Sequence, residues 1–239
     1  MKYILLLLFV VILVLFLFNP KAQQLLKVVW LIVQTSPYNQ TGSGAGLIVV
    51  VGDSTAYGTG VTDTTNSIAG RIGADFPDYE VRTFAKNGRV LGEVIGALKG
   101  ANLEKQTDVL VLQIGGNDIL QNKTKENIEA DTRAMLIEAK KYAKHVIFMS
   151  CGNVGSAASF VQNGEVDLVR EERTLVAREI FMRVSDELQV TYVDLFIPKD
   201  TDPFLQSPKE YFSLDGLHPS GAGYGLWYQT LAPVLRSVI

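Results

Sequence analysis

Residues 47–57 read Leu-Ile-Val-Val-Val-Gly-Asp-Ser-Thr-Ala-Tyr, and the fold turns on this stretch. Five apolar residues, four of them β-branched, run straight into Gly52-Asp53-Ser54. A run this short, apolar on both faces and ended by glycine, predicts a central strand buried between two layers. Ser54 then lies at the strand's carboxyl end, the edge where open α/β sheets bind ligands. Two readings of the triplet stay open here. It is a strand-to-helix turn with Asp53 or Ser54 as N-cap, or it lifts a nucleophilic hydroxyl clear of the sheet.

Beyond Val51, apolar runs alternate with helical patterns, the signature of βαβ units and a largely parallel sheet. Strands are expected at Glu80–Ala85, Asp108–Ile114, His145–Ser150 and Val190–Leu195. Helices are expected at Ser67–Phe76, Val90–Leu98, Thr124–Tyr142, Val169–Leu188 and Ala222–Val238, the last broken or kinked at Pro233. In the third of these, Ile128, Met135, Ile137 and Ala139 form the expected inner side. Asn153–Asp167, rich in small residues, follows the fourth strand and is expected to shape a substrate pocket. No internal repeat interrupts the series, so residues 47–239 read as one domain.

The chain of 239 residues has room for that domain, about 190 residues, and an N-terminal appendage. A net charge of −3, with no Lys/Arg block in the globular part, argues against nucleic acid as the main partner. Cys151 is the only cysteine, which excludes an intrachain disulfide and a cysteine-based zinc site. Tyr3–Phe18 is sixteen apolar residues without a charge, so residues 1–34 read as a membrane anchor or a signal segment. Pro20 spoils the small-x-small exit that signal cleavage needs, which favours an uncleaved anchor. Leu25–Val33 extends the apolar pattern along the membrane interface or as a continued helix. Lys2 opposes Lys21 and Lys27, leaving the charge rule for orientation nearly balanced. The export-type N-terminus points to an extracytoplasmic domain, with secretion after cleavage as the alternative. Thr35–Gly46, Ser/Thr/Gly-rich, reads as a flexible tether over residues 35–46.

There are two histidines. His145 opens a strand on the edge opposite Ser54 and reads as structural or exposed. His218, in Asp215-Gly216-Leu217-His218-Pro219, falls between the fifth strand and the last helix, on the Ser54 edge. Three residues separate Asp215 from His218, which lets the carboxylate hold Nδ1–H while Nε2 takes a serine proton. A serine hydroxyl needs such a base to act as a nucleophile near neutral pH. An ester carbonyl also needs donors for its developing oxyanion. The candidates are the Asn117 side chain after Gly115-Gly116, the Gly92 N–H, and the N–H of Ser54 itself. Cys151 also follows a strand at this edge, but it lacks a comparable block and reads as a buried residue or pocket wall.

Four blocks now stand in order: Gly52-Asp53-Ser54, Asn87-Gly88-Arg89-Val90-Leu91-Gly92, Gly115-Gly116-Asn117-Asp118 and Asp215-Gly216-Leu217-His218-Pro219. In this the chain resembles the SGNH (GDSL-type) hydrolase superfamily, from Leu47 to the C-terminus. The resemblance implies a three-layer α/β/α sandwich, flavodoxin-like, around a five-stranded parallel sheet in the order 2-1-3-4-5. It implies Ser54 as nucleophile, His218 as base and Asp215 as its orienter. The oxyanion hole it implies is made by Ser54, Gly92 and Asn117. The second block departs from the family in carrying Leu91 before and Glu93 after the glycine. That leaves Gly88 and Gly92 as rivals, and the offset from Asn87 favours Gly92.

The expected activity is therefore a serine esterase acting on acyl esters through a covalent acyl-enzyme, with neither metal nor organic cofactor. A lysophospholipid or other lipid ester suits a membrane-tethered enzyme; a carbohydrate or cell-wall O-acetyl ester, or acyl transfer, is the alternative. A non-catalytic binding module on the same fold is the rival of another class. A flavodoxin-like nucleotide or flavin binder would share the strand–helix alternation, but the chain carries no phosphate-binding loop.

Overall fold

The structure, a computed structural model, describes residues 16, 18–101, 103 and 107–239. Nearly all of the apolar Tyr3–Phe18 stretch lies outside them. The first helix that lies wholly within the described residues, α1, spans Pro20–Gln34. Asn19 caps it, accepting from the N–H groups of Lys21 and Ala22, and Pro20 sits in the first turn where its missing N–H costs nothing. Among the described residues no helix is long and apolar enough to cross a membrane.

Five strands form one parallel sheet: β1 (Gly46–Gly52), β2 (Tyr79–Ala85), β3 (Thr107–Gln113), β4 (Ala143–Met149) and β5 (Thr191–Val193). Their order is β2-β1-β3-β4-β5, as the family resemblance implied. Side chains alternate across the strands, so β1 feeds two cores. Val49 and Val51 pack with Leu110, Leu112 and Phe148 under α4 (Val94–Gly100), α6 (Lys125–Ala139) and α7 (Leu168–Glu187). Ile48 and Val50 face the other way, with Val109, Val111 and Ile147, under α3 (Ile68–Asp75) and α10 (Gly221–Val238). Three layers result. Burial on both faces is why β1 reads as an unbroken apolar run.

Three local expectations are corrected. Ile137 is 47% exposed, and the inner stripe of α6 is Ile128, Thr132, Met135, Leu136 and Ala139. Thr132 can join it because its hydroxyl donates to the Ile128 carbonyl. Helix α10 runs unbroken through Pro233. Pro233 and Gln229, whose carbonyl loses its intrahelical donor, are both exposed, so water can take the missing bond. The stretch 35–46, expected as a free tether, is laid along β2: Gln40 bridges Val81 antiparallel, Thr83 N donates to Asn39 Oδ1 at 2.8 Å, and Thr83 Oγ1 to the Tyr38 carbonyl at 2.6 Å. An edge strand leaves backbone groups unpaired, and this segment satisfies them.

Strand order reverses between β1 and β3, and the crevice above such a reversal is where open α/β sheets place ligands. Ser54 follows β1 and Asn117 follows β3. Both open onto this crevice.

Candidate active site

Ser54 is the first residue of α2 (Ser54–Tyr57), a single turn capped by Asp53. The Asp53 carboxylate accepts from Thr55 N at 2.8 Å and Thr55 Oγ1 at 2.7 Å. Burial pushes its pKa up against these donors. Gly52 is dictated by closeness: a Cβ there would stand 1.9 Å from the Gln113 carbonyl oxygen of β3. Thus Asp53 is the N-cap of this turn, and Ser54 stands at the carboxyl edge of the sheet.

His218 arrives from the turn between α9 (Pro208–Tyr211) and α10. Its Nε2 stands 2.9 Å from Ser54 Oγ and its Nδ1 2.5 Å from Asp215 Oδ2. The other carboxylate oxygen of Asp215 accepts from Ser213 Oγ at 2.8 Å and from the N–H groups of Leu217 and His218, both at 2.9 Å. Burial pushes the Asp215 pKa up, but the hydrogen bond from His218, its charge and the two backbone donors outweigh that and bring it down to about 2. Asp215 is therefore a carboxylate across the neutral range, able to hold Nδ1–H and leave Nε2 facing the serine.

Asn117 lies in α5 (Gly116–Leu120) and its Nδ2 donates to the Arg89 carbonyl at 3.0 Å. Arg89 is itself tied down, its Nη1 donating to the carbonyls of Gly52 at 2.9 Å and Phe84 at 2.6 Å. Buried Asp118 accepts from Leu91 N at 3.1 Å and pairs with Lys123 at 2.9 Å, which joins the third block to the second. The two glycines of that second block part company. Gly88, in the left-handed region at φ +79°, lines the cavity beside Ser54. Gly92 lies in a 3-10 turn, where a Cβ would meet the Asp131 carboxylate at 3.2 Å, and it does not line the cavity. The offset from Asn87 misleads because the Asn87-Gly88 turn reverses the chain at the sheet edge. By residue 92 the backbone has left the crevice. Asn-Gly is itself a turn signal, and it was the clue available in the sequence.

These groups surround a cavity of about 200 Å³. Ser54, His218, Asn87, Asn117 and Asp202 are among its polar lining, with Gly88 beside them; Leu120, Val154, Leu195, Phe204, Phe212 and Trp227 are among its apolar walls. The 153–167 loop supplies Asn153, Val154 and Ala157, and Ser159 N donates to the Gly216 carbonyl at 2.9 Å, bracing the Asp215 turn. The aromatic walls were not singled out in the sequence because they come from α8 (Pro203–Gln206), the 207–212 segment and α10. Cys151 lines the cavity too; burial pushes its thiol up to about 12, which leaves it protonated and a poor nucleophile. His145 is exposed on β4, far along the strand from this edge.

A family model described as GDSL-like lipase/acylhydrolase matches residues 50–226. The chain belongs to this family. This GDSL-like protein is an ester hydrolase by family, and its fold is shared by solved members. TesA superposes with a TM-score of 0.62 at 19% identity, covering 81% of this chain and 99% of TesA. Axe2, an acetylxylan esterase from Geobacillus stearothermophilus, gives 0.58 at 20% identity over 82% of this chain and 95% of Axe2. A lipolytic protein of the G-D-S-L family from Veillonella parvula gives 0.60 at 19%, over 80% and 98%. No curated protein sequence matches the GDSL-like chain.

Proposed function

We propose that this GDSL-like hydrolase is a serine esterase cleaving acyl esters through an acyl-enzyme at Ser54. The observation that carries the reading is the unbroken line from Ser54 Oγ through His218 to Asp215, at 2.9 and 2.5 Å, at the edge of an apolar-walled cavity. His218 Nε2 takes the Ser54 proton as Oγ bonds to the ester carbon. The carbonyl oxygen, now negative, accepts from the N–H groups of Ser54 and Gly88 and from Asn117 Nδ2. His218 then gives its proton to the departing alcohol oxygen and afterwards takes one from the water that releases the acid.

The cavity favours a lipid acyl group as the substrate's acid part. A 150 Å³ apolar cavity holds benzene, so about 200 Å³ takes an acyl segment on the order of six to eight carbons. An O-acetyl ester is the second reading, supported by the fold shared with the acetylxylan esterase Axe2. Residues 1–34 would hold the enzyme at a membrane with the domain extracytoplasmic, supported by the uncharged Tyr3–Phe18 stretch. A p-nitrophenyl ester series from acetate to decanoate tests the assignment. Turnover rising towards hexanoate and lost in Ser54→Ala supports the lipid ester; strict acetate preference supports the second reading. Undiminished turnover in folded Ser54→Ala, or no labelling of Ser54 by a fluorophosphonate, overturns the esterase and leaves a binding module.

A further inference from the structure

Among the described residues, helix α1 carries an exposed apolar face. Leu25, Leu26, Val29, Trp30 and Val33 are 46–73% exposed, and at 3.6 residues per turn they share an arc of about 140°. Leu31, on the opposite side, is the buried one at 2%. Lys21 and Lys27 are exposed outside the apolar arc. An apolar arc with a tryptophan and with lysines beside it is the pattern of a helix lying in a membrane interface.

The far end of α1 is fastened beside the active site. The Thr35 hydroxyl is shared between the carbonyls of Leu31 at 2.7 Å and Val61 at 3.2 Å. Gly60, next to Val61, is packed so closely that a Cβ would stand 2.2 Å from the Pro219 carbonyl oxygen and 3.2 Å from His218 Cβ. Tyr224 Oη holds the same loop from behind, donating to the Thr59 carbonyl at 2.7 Å. The near end of α1 follows sixteen uncharged residues, Tyr3–Phe18, with Asn19 alone between.

We propose that α1 lies in the lipid interface with this face down, holding the His218 edge of the cavity at the bilayer. Entry of an ester from the lipid phase follows, and that consequence rests on the esterase reading. A second copy of the chain fits the face less well. A 15-residue helix is about 22 Å long, and one side of it offers a few hundred Å² at most, short of the roughly 800 Å² per partner of a stable pair.

The test uses the full chain reconstituted in phosphatidylcholine vesicles. Its two tryptophans are Trp30 and the buried Trp227. Dibrominated phosphatidylcholine should quench the emission that disappears in Trp30→Phe. The triple variant Leu26→Glu, Val29→Glu, Val33→Glu should hydrolyse a soluble short-chain p-nitrophenyl ester at the parent rate. On a long-chain ester embedded in the vesicle it should fall about tenfold or more. An unquenched Trp30 overturns the proposal, and a dimer in detergent would then name a second copy as the occupant. A triple variant as active as the parent on the embedded ester also overturns it. Quenched Trp30 without turnover of any ester by the parent upholds the placement and sinks the esterase reading instead.

Discussion

Replacing Asn117 by alanine separates transition-state stabilisation from folding. The Asn117 amide carries two hydrogens, and one is spent on the Arg89 carbonyl at 3.0 Å. That bond fixes the amide plane, and the second hydrogen is left for the cavity that Asn117 lines. A fixed donor of this kind meets charge only when the carbonyl oxygen becomes an oxyanion. Its removal should cost about 2.7–4 kcal/mol, a fall of about 10²–10³ in kcat, with KM little changed. The stability cost is the Arg89 bond alone, about 1 kcal/mol, or a Tm lowered by about 2–4 °C. Steady-state kinetics on p-nitrophenyl butyrate and a thermal melt read both quantities. Asn117→Asp should be slower still, because it sets a carboxylate against the developing charge. A folded Asn117→Ala enzyme within about threefold of the parent kcat would refute the oxyanion assignment, since that is well under 1 kcal/mol.

Asp215→Asn should lower kcat by about 10⁴, because an amide donating to Nδ1 leaves Nε2 protonated and unable to accept from Ser54. The Asp215 carboxylate, at about 2 in the folded chain against 3.8 ordinarily, contributes about 2 kcal/mol at neutral pH. That contribution is present above about pH 4 and is lost as pH falls through 2; urea titrations between pH 5 and 2 should show the loss in the parent and not in Asp215→Asn. Gly92→Ala should keep activity within about twofold, its new Cβ meeting the Asp131 carboxylate, the end of a side chain, at 3.2 Å. Gly88→Ala should lose about tenfold or more, since φ +79° costs an L-residue about 1–2 kcal/mol and relief of that strain turns the N–H away; a loss in Gly92→Ala with none in Gly88→Ala, measured on one ester, would return the role to Gly92. Cys151 should resist iodoacetamide at pH 8 in the native protein and react fully in guanidinium, and rapid native labelling would contradict a thiol pushed up to about 12.

Much of this molecule is local in origin. The Leu47–Val51 run, apolar on both faces and ended by glycine, has the profile of a strand covered on two sides, and alternation with helices pointed to a parallel sheet. Ser54, Asn117 and His218 were legible because each follows a strand at the carboxyl edge, and that edge is set by chain direction alone. Even Asp215 was legible, its distance from His218 being a property of one turn. Where side-chain exposure depends on what packs above, the pattern misled. Ile137 and Leu136 are adjacent and equally apolar, and only the docking of α6 on the sheet buries one and exposes the other.

The glycine of the second block belongs to the same class of question. Gly88 and Gly92 are alike as residues, and the reversal at Asn87-Gly88 decides which faces Ser54. Sequence by itself determined the order of strands and helices, which residues stand at the strand ends and the direction in which that edge faces, because these follow from short-range backbone geometry and from which residues tolerate water. Tertiary structure alone decided the 2.9 Å approach of two residues 164 apart, the aromatic walls drawn from the last forty residues, and the stretch 35–46 bound along β2. Those depend on how separate elements meet in space, and no local rule along a chain encodes a distance across it.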